Sequence, residues 1–143
     1  MPLGEETMFG KRPTSKNARR GVTAAEFAVV SPFLFILVFA CLELGLANMM
    51  FHTTEAAAYE GARTAIVPGA TSQEAVAAVR AVLATAGIRV AEVSVSPADL
   101  SQTTQNVTVT VTTRFKDNLP LGTFFVDNDP MVKSCVLQRE RLN

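Results

Sequence analysis

The chain has 143 residues, enough for one domain, and is formally neutral with 48% hydrophobic residues. That neutrality conceals two opposed parts: the first 21 residues carry five bases against Glu5 and Glu6, leaving eight bases against eleven acids in the rest. The bases sit in a short tail without a folded aromatic platform, so nothing supports nucleic-acid binding.

The tail, residues 1–21, contains Lys11, Arg12, Lys16, Arg19 and Arg20 and reads as a basic leader. Residues 27–42 follow without a single charge, and apolar character resumes beyond Glu43 as far as Phe51. Twenty helical residues at about 1.5 Å each span roughly 30 Å, one hydrocarbon core. Between Phe27 and Leu46 there are thirteen Leu, Ile, Val or Phe side chains. At about −0.3 to −0.6 kcal/mol each they contribute roughly −4 to −8 kcal/mol to insertion, against at most about 3 kcal/mol for Glu43. A transmembrane helix over residues 22–51 is therefore expected. The basic flank places the N-terminus in the cytoplasm and the body, residues 52–143, outside it. Pro32 interrupts the run and predicts a kink.

Beyond the bilayer the helix continues through "HTTEAAAYEGARTAIVPGAT" and stops at Pro68-Gly69. Ala57, Gly61 and Ala65 recur every four residues, a smooth stripe for close helix packing within the domain or between subunits. Glu60 and Arg63 are spaced to pair on an adjacent face. "TSQE" reads as a capping box, Thr71 with Glu74, and opens a second helix with Val76, Val79 and Leu83 on its apolar face and Gly87 as its stop. Residues 88–95 read as a strand whose parity breaks between Val90 and Val93, which suggests a bulge. In residues 106–116, Val107, Val109, Val111 and Phe115 alternate with Thr108, Thr110 and Thr112, a second strand. A third strand is expected over residues 132–139. The fold class is α+β: a long N-terminal helix, a short second helix and a small antiparallel sheet of about three strands.

No catalytic constellation is laid out, and no cofactor or small-molecule substrate is expected. His52 falls at the outer membrane boundary as a polar residue. Asp117, Asp127 and Asp129 lack the glycine and terminal glutamate of a calcium loop, so no metal site is expected. Cys41 lies in the apolar run and Cys135 near the C-terminus, separated by bilayer depth, so two free thiols are expected. Asn106 matches a glycosylation tripeptide inside a strand pattern.

The opening of the helix, "RRGVTAAEF", resembles the processing site of a class III prepilin: bases, a glycine, an uncharged stretch, then Glu-Phe. With "LELG" (Glu43, Gly45) and "AAAYEGAR" in order after it, the segment from Arg19 to about Thr71 resembles the TadE-like proteins, minor pilins or pseudopilins of the tight adherence (Tad) pilus machinery. Tyr59 departs from the pattern, since the family commonly carries a basic residue there. The resemblance implies cleavage between Gly21 and Val22 by a membrane prepilin peptidase, with Glu26 and Phe27 as assembly residues near the new N-terminus. It implies other pilins as partners through the N-terminal helix, and the bacterial inner membrane as the location. In such systems the carboxylate at the Glu26 position neutralises the amine of a neighbouring subunit. Two unit charges about 4 Å apart attract by roughly 4 kcal/mol at an effective dielectric near 20, before desolvation.

Three readings outside that family stay open. A secretory signal would be cut near Ala47, a lipoprotein would be acylated at Cys41, and an anchored adhesion domain would stay uncut at Gly21. N-terminal sequencing separates them.

Overall fold

The computed structural model describes residues 15–100, 105–119, 123–126 and 129–139, with side chains described from Gly21 onward. Of the leader bases, Lys11 and Arg12 lie outside the described residues, as do the side chains of Lys16, Arg19 and Arg20. Asp127 of the aspartate group also lies outside them. The elements run α1 (Ser15–Ala65), α2 (Ser72–Thr85), β1 (Ala91–Ser96), β2 (Asn106–Thr113), α3 (Phe115–Asn118) and β3 (Met131–Gln138). This is the α+β arrangement of a long helix, a short one and a three-stranded antiparallel sheet ordered β1-β2-β3.

The chain divides into two units after Phe39. The described part of the first is a helical segment of α1. Its large apolar residues, from Val22 through Phe39, are exposed all round, with Phe33 at 71%. A helix apolar on every face requires an apolar environment, lipid or other helices. Pro32 is accommodated within α1, at a position where its missing N–H removes one backbone hydrogen bond.

The second unit begins at Ala40, so residues 40–51, expected as part of the membrane helix, cluster with the body. Glu43 and Met50 are buried there and Leu46 packs against the core. The core lies between one face of the sheet and the helices: Ala57, Ala58, Ala62 and Ala65 of α1, Ala75, Val79 and Leu83 of α2, and Val107, Val109 and Val111 of β2. The central strand buries its whole inner row, whereas both edge strands are half-buried on that side. Register aligns the inner residues across the sheet, with Val95 opposite Val109 and Val109 opposite Cys135. Small residues on α1 let it approach closely. A Cβ on Gly61 would collide with Cγ2 of Val79 and lie 3.2 Å from Cγ1 of Val109.

Polar groups inside this layer have partners. The fully buried Thr54 hydroxyl donates to the Met50 carbonyl at 2.7 Å and lies 3.4 Å from the Thr113 hydroxyl. Buried Arg139 donates to the carbonyls of Leu100 at 3.1 Å and Val67 at 3.0 Å, tying the end of β3 to the turn after α1. That turn contains Gly69 at φ +85°, left-handed backbone suited to glycine.

The capping box at Thr71 is present. Its side chain accepts from the N–H of Glu74, and its own N–H donates to Oε2 of Glu74 at 3.0 Å. Gly87, at φ +73°, follows the helix as a stop should.

Four local expectations need correction. Ala75, not Val76, completes the buried face of α2; Val76 is half-buried. The first strand begins at Ala91, not Ile88, and pairs with β2 in unbroken register, so it carries no bulge. The parity break arises because residues 88–90 are loop: Oδ1 of Asn118 accepts from the N–H groups of Arg89 and Val90, and Nδ2 donates to the Val90 carbonyl, each at 2.9 Å. Asn118 thus occupies the place of a strand partner. Finally, β2 ends at Thr113, which takes the next inward position; Phe115 and Lys116 belong to α3.

Candidate functional site: the N-terminal helix with Glu26 and Glu43

Helix α1 carries the residues that the sequence singles out. Gly21, Val22, Glu26 and Phe27 are all exposed on it, and among the described residues nothing beyond its own helix neighbours lies within 4 Å of where a Gly21 Cβ would be. The helix begins at Ser15, so the Gly21–Val22 bond lies within helical backbone and not at its start. Glu26 directly precedes the apolar surface that opens at Phe27, which is 67% exposed.

The stripe of Ala57, Gly61 and Ala65 is buried inside the second unit. Its central glycine faces α2 and β2 of the same chain. Glu60 and Arg63 approach at 3.5 Å, a solvent-exposed pair of little energetic weight.

Glu43 behaves unlike Glu26. It is 7% exposed. Its Oε1 accepts from the backbone N–H groups of Phe124, Phe125 and Val126 at 2.9, 3.0 and 2.9 Å, and its Oε2 from Phe124 at 3.1 Å. Three successive N–H groups converging on one carboxylate form an anion-binding nest, here filled by the protein's own side chain. The sequence signals a need for a partner, because a carboxylate beside an apolar run must be satisfied. It gives no sign that the partner is a loop about eighty positions away.

Among the described residues one helix, within residues 21–65, is long and apolar enough to cross a membrane. Residues 21–63 match the family model for TadE-like protein. The matched segment therefore starts at Gly21, takes in Glu26 and Glu43 and ends within the alanine-rich part of α1. Sheet and second helix lie beyond it. Neither a curated protein nor a solved structure matches the chain.

The remaining candidates are dispersed. His52 is exposed, edge-on to Phe51 with ring centroids 5.5 Å apart, and Nζ of Lys133 lies 3.3 Å from the Phe51 ring centroid. This cation–π contact puts a basic group where the apolar character of α1 ends. Asp117 and Asp129 are exposed. Among the described residues no group of three or more His, Cys, Asp or Glu is placed to hold a metal ion. Asn106 is exposed at the first position of β2. Both cysteines are free: Cys41 exposed on α1, Cys135 half-buried on the inner face of β3, where desolvation pushes its thiol pKa up.

Proposed function

We propose that the chain is a membrane-anchored minor pilin or pseudopilin that works in the assembly of a Tad-type pilus or a related secretion machine. The observation that carries this reading is the TadE-like match over residues 21–63, which opens at Gly21 and covers the whole exposed apolar part of α1 after it. The N-terminus is cytoplasmic, the α+β body is extracytoplasmic, and the helix rests in the bacterial inner membrane before assembly. The protein acts through helix association and not by catalysis.

In this mechanism a prepilin peptidase hydrolyses the Gly21–Val22 bond, removes the basic leader and frees a cationic amine on Val22. Because a peptidase needs extended backbone, the helix must open locally at the site. Gly21 assists, since glycine in a helix interior costs about 1 kcal/mol relative to alanine. Glu26 then lies four residues from the new amine, one helical turn, and offers its carboxylate to the amine of a neighbouring pilin. Apolar residues from Phe27 to Phe39 cover one another between subunits once lipid is left behind.

A second reading, an uncut anchored adhesion domain, draws support from the continuous helix across Gly21–Val22. Intact mass of the membrane-extracted protein, co-produced with and without a prepilin peptidase, separates the two. A peptidase-dependent N-terminus at Val22 is expected; an uncut chain in both samples overturns the processing step.

A further inference from the structure

Phe124 and Phe125 are adjacent, 81% and 54% exposed, in a described loop segment, residues 123–126, without a charged residue. Their backbone is fastened to Glu43, and Glu43 directly follows the sixteen uncharged residues of α1. The uncharged residues 27–42 span roughly 24 Å as a helix, most of one hydrocarbon core, and Glu43 ends them. Eight residues further along α1, about 12 Å, Phe51 carries Lys133 on its ring and His52 is exposed. Glu43 thus falls where hydrocarbon gives way to headgroups, and the polar boundary lies just beyond.

From this placement we infer that residues 123–126 form an interfacial lipid anchor: Phe124 and Phe125 enter the headgroup–acyl boundary of the bilayer that α1 spans, and Glu43 is the latch that holds the loop there. The inference rests on the membrane reading of α1. Its chemistry is consistent on both sides of the latch. Irregular backbone at membrane depth leaves N–H groups without water, and each must find an internal acceptor. Glu43 supplies that acceptor to three successive N–H groups. In return the N–H groups satisfy a carboxylate that lipid could not solvate. With these three N–H groups satisfied, the segment presents two exposed aromatic rings, a composition that favours the interface.

The chain contains no tryptophan, so Phe124→Trp and Phe125→Trp each introduce a single reporter. The full chain is reconstituted in phosphatidylcholine/phosphatidylglycerol vesicles, with spin-labelled lipid bearing its nitroxide either near the headgroup or near the chain end. Phe35→Trp, within the uncharged run, reports on the helix itself. The expected result for both loop reporters is blue-shifted emission, strong quenching by the shallow label, and weak quenching by the deep label and by aqueous iodide. The Phe35→Trp chain should be quenched by the deep label. Adding Glu43→Gln to Phe124→Trp should lose most of the shallow quenching and regain iodide access; unchanged depth overturns the latch. Iodide quenching of the loop reporters, with Phe35→Trp still quenched by lipid, overturns the anchor and leaves the membrane helix standing. Shielding from both lipid label and iodide means that another protein surface covers the loop, and also overturns it. Loss of lipid quenching at Phe35→Trp overturns the membrane reading itself.

Discussion

Gly61 in α1 faces Val79 in α2 so closely that a single methyl group on the glycine would overlap the valine side chain. The two helices meet where one side chain has been removed altogether, and Val79, fully buried, fills the space. Valine is stiff at χ1 and cannot swing away.

Gly61→Ala is therefore expected to destabilise the body despite improving helix propensity. Alanine gains about 1 kcal/mol in an unstrained helix. Overpacking a well-filled core costs typically about 1–3 kcal/mol, and the collision with Val79 puts this site toward the upper part of that range. A lower thermal midpoint in detergent, by circular dichroism, is the expected readout. Gly45→Ala is the control: nothing lies within 4 Å of its Cβ position, so the midpoint should hold or rise.

Glu26→Ala should leave the apolar helix inserted, since it removes a charge from the mouth of the segment. Assembly should fall. If a third of the roughly 4 kcal/mol attraction between carboxylate and amine survives desolvation, losing it lowers the association equilibrium about tenfold. The ratio of protein in sheared surface filaments to protein in membranes measures this. Equal ratios for variant and parent would remove Glu26 from the assembly mechanism.

Asn118→Ala should loosen the segment before β1. The side chain makes four hydrogen bonds, to the N–H of Arg89, the N–H and carbonyl of Val90, and the carbonyl of Arg114. Each contributes about 1 kcal/mol net in favourable cases, and water can replace some of them at this partly exposed site, so a loss of about 1–2 kcal/mol is expected. Amide exchange should accelerate first at Arg89 and Val90. Acceleration spread evenly over the sheet would instead indicate global destabilisation.

Cys135 should label slowly near neutral pH and faster as pH rises. Burial raises its thiol pKa, which lowers the reactive thiolate fraction near neutrality. In a Cys41→Ser chain it is the remaining cysteine, and its maleimide rate should climb at higher pH than in the unfolded chain. The linkage sign follows: the unfolded thiol ionises first, so this contribution to stability is complete below the unfolded pKa and is lost as pH rises through the folded one. Coincident rate profiles for folded and unfolded protein would contradict the assignment.

Much of the N-terminal helix was determined by the sequence alone. A sixteen-residue uncharged run, its basic flank and the Gly21–Glu26 spacing are local facts, and insertion depends on composition more than on neighbours. The capping box at Thr71 and the alternation in β2 were legible for the same reason: each is a pattern within a few residues. Tertiary structure decided what depends on partners distant in sequence. The Ala57–Gly61–Ala65 stripe, open to a neighbour in or out of the chain, is buried in its own domain because α2 and β2 reach Gly61. The start of β1 was set by Asn118, whose amide substitutes for a strand. Above all, Glu43 on paper is only a cost to an apolar helix. It becomes a latch because folding brings three N–H groups of a distant loop to its oxygens, and no local pattern encodes that meeting.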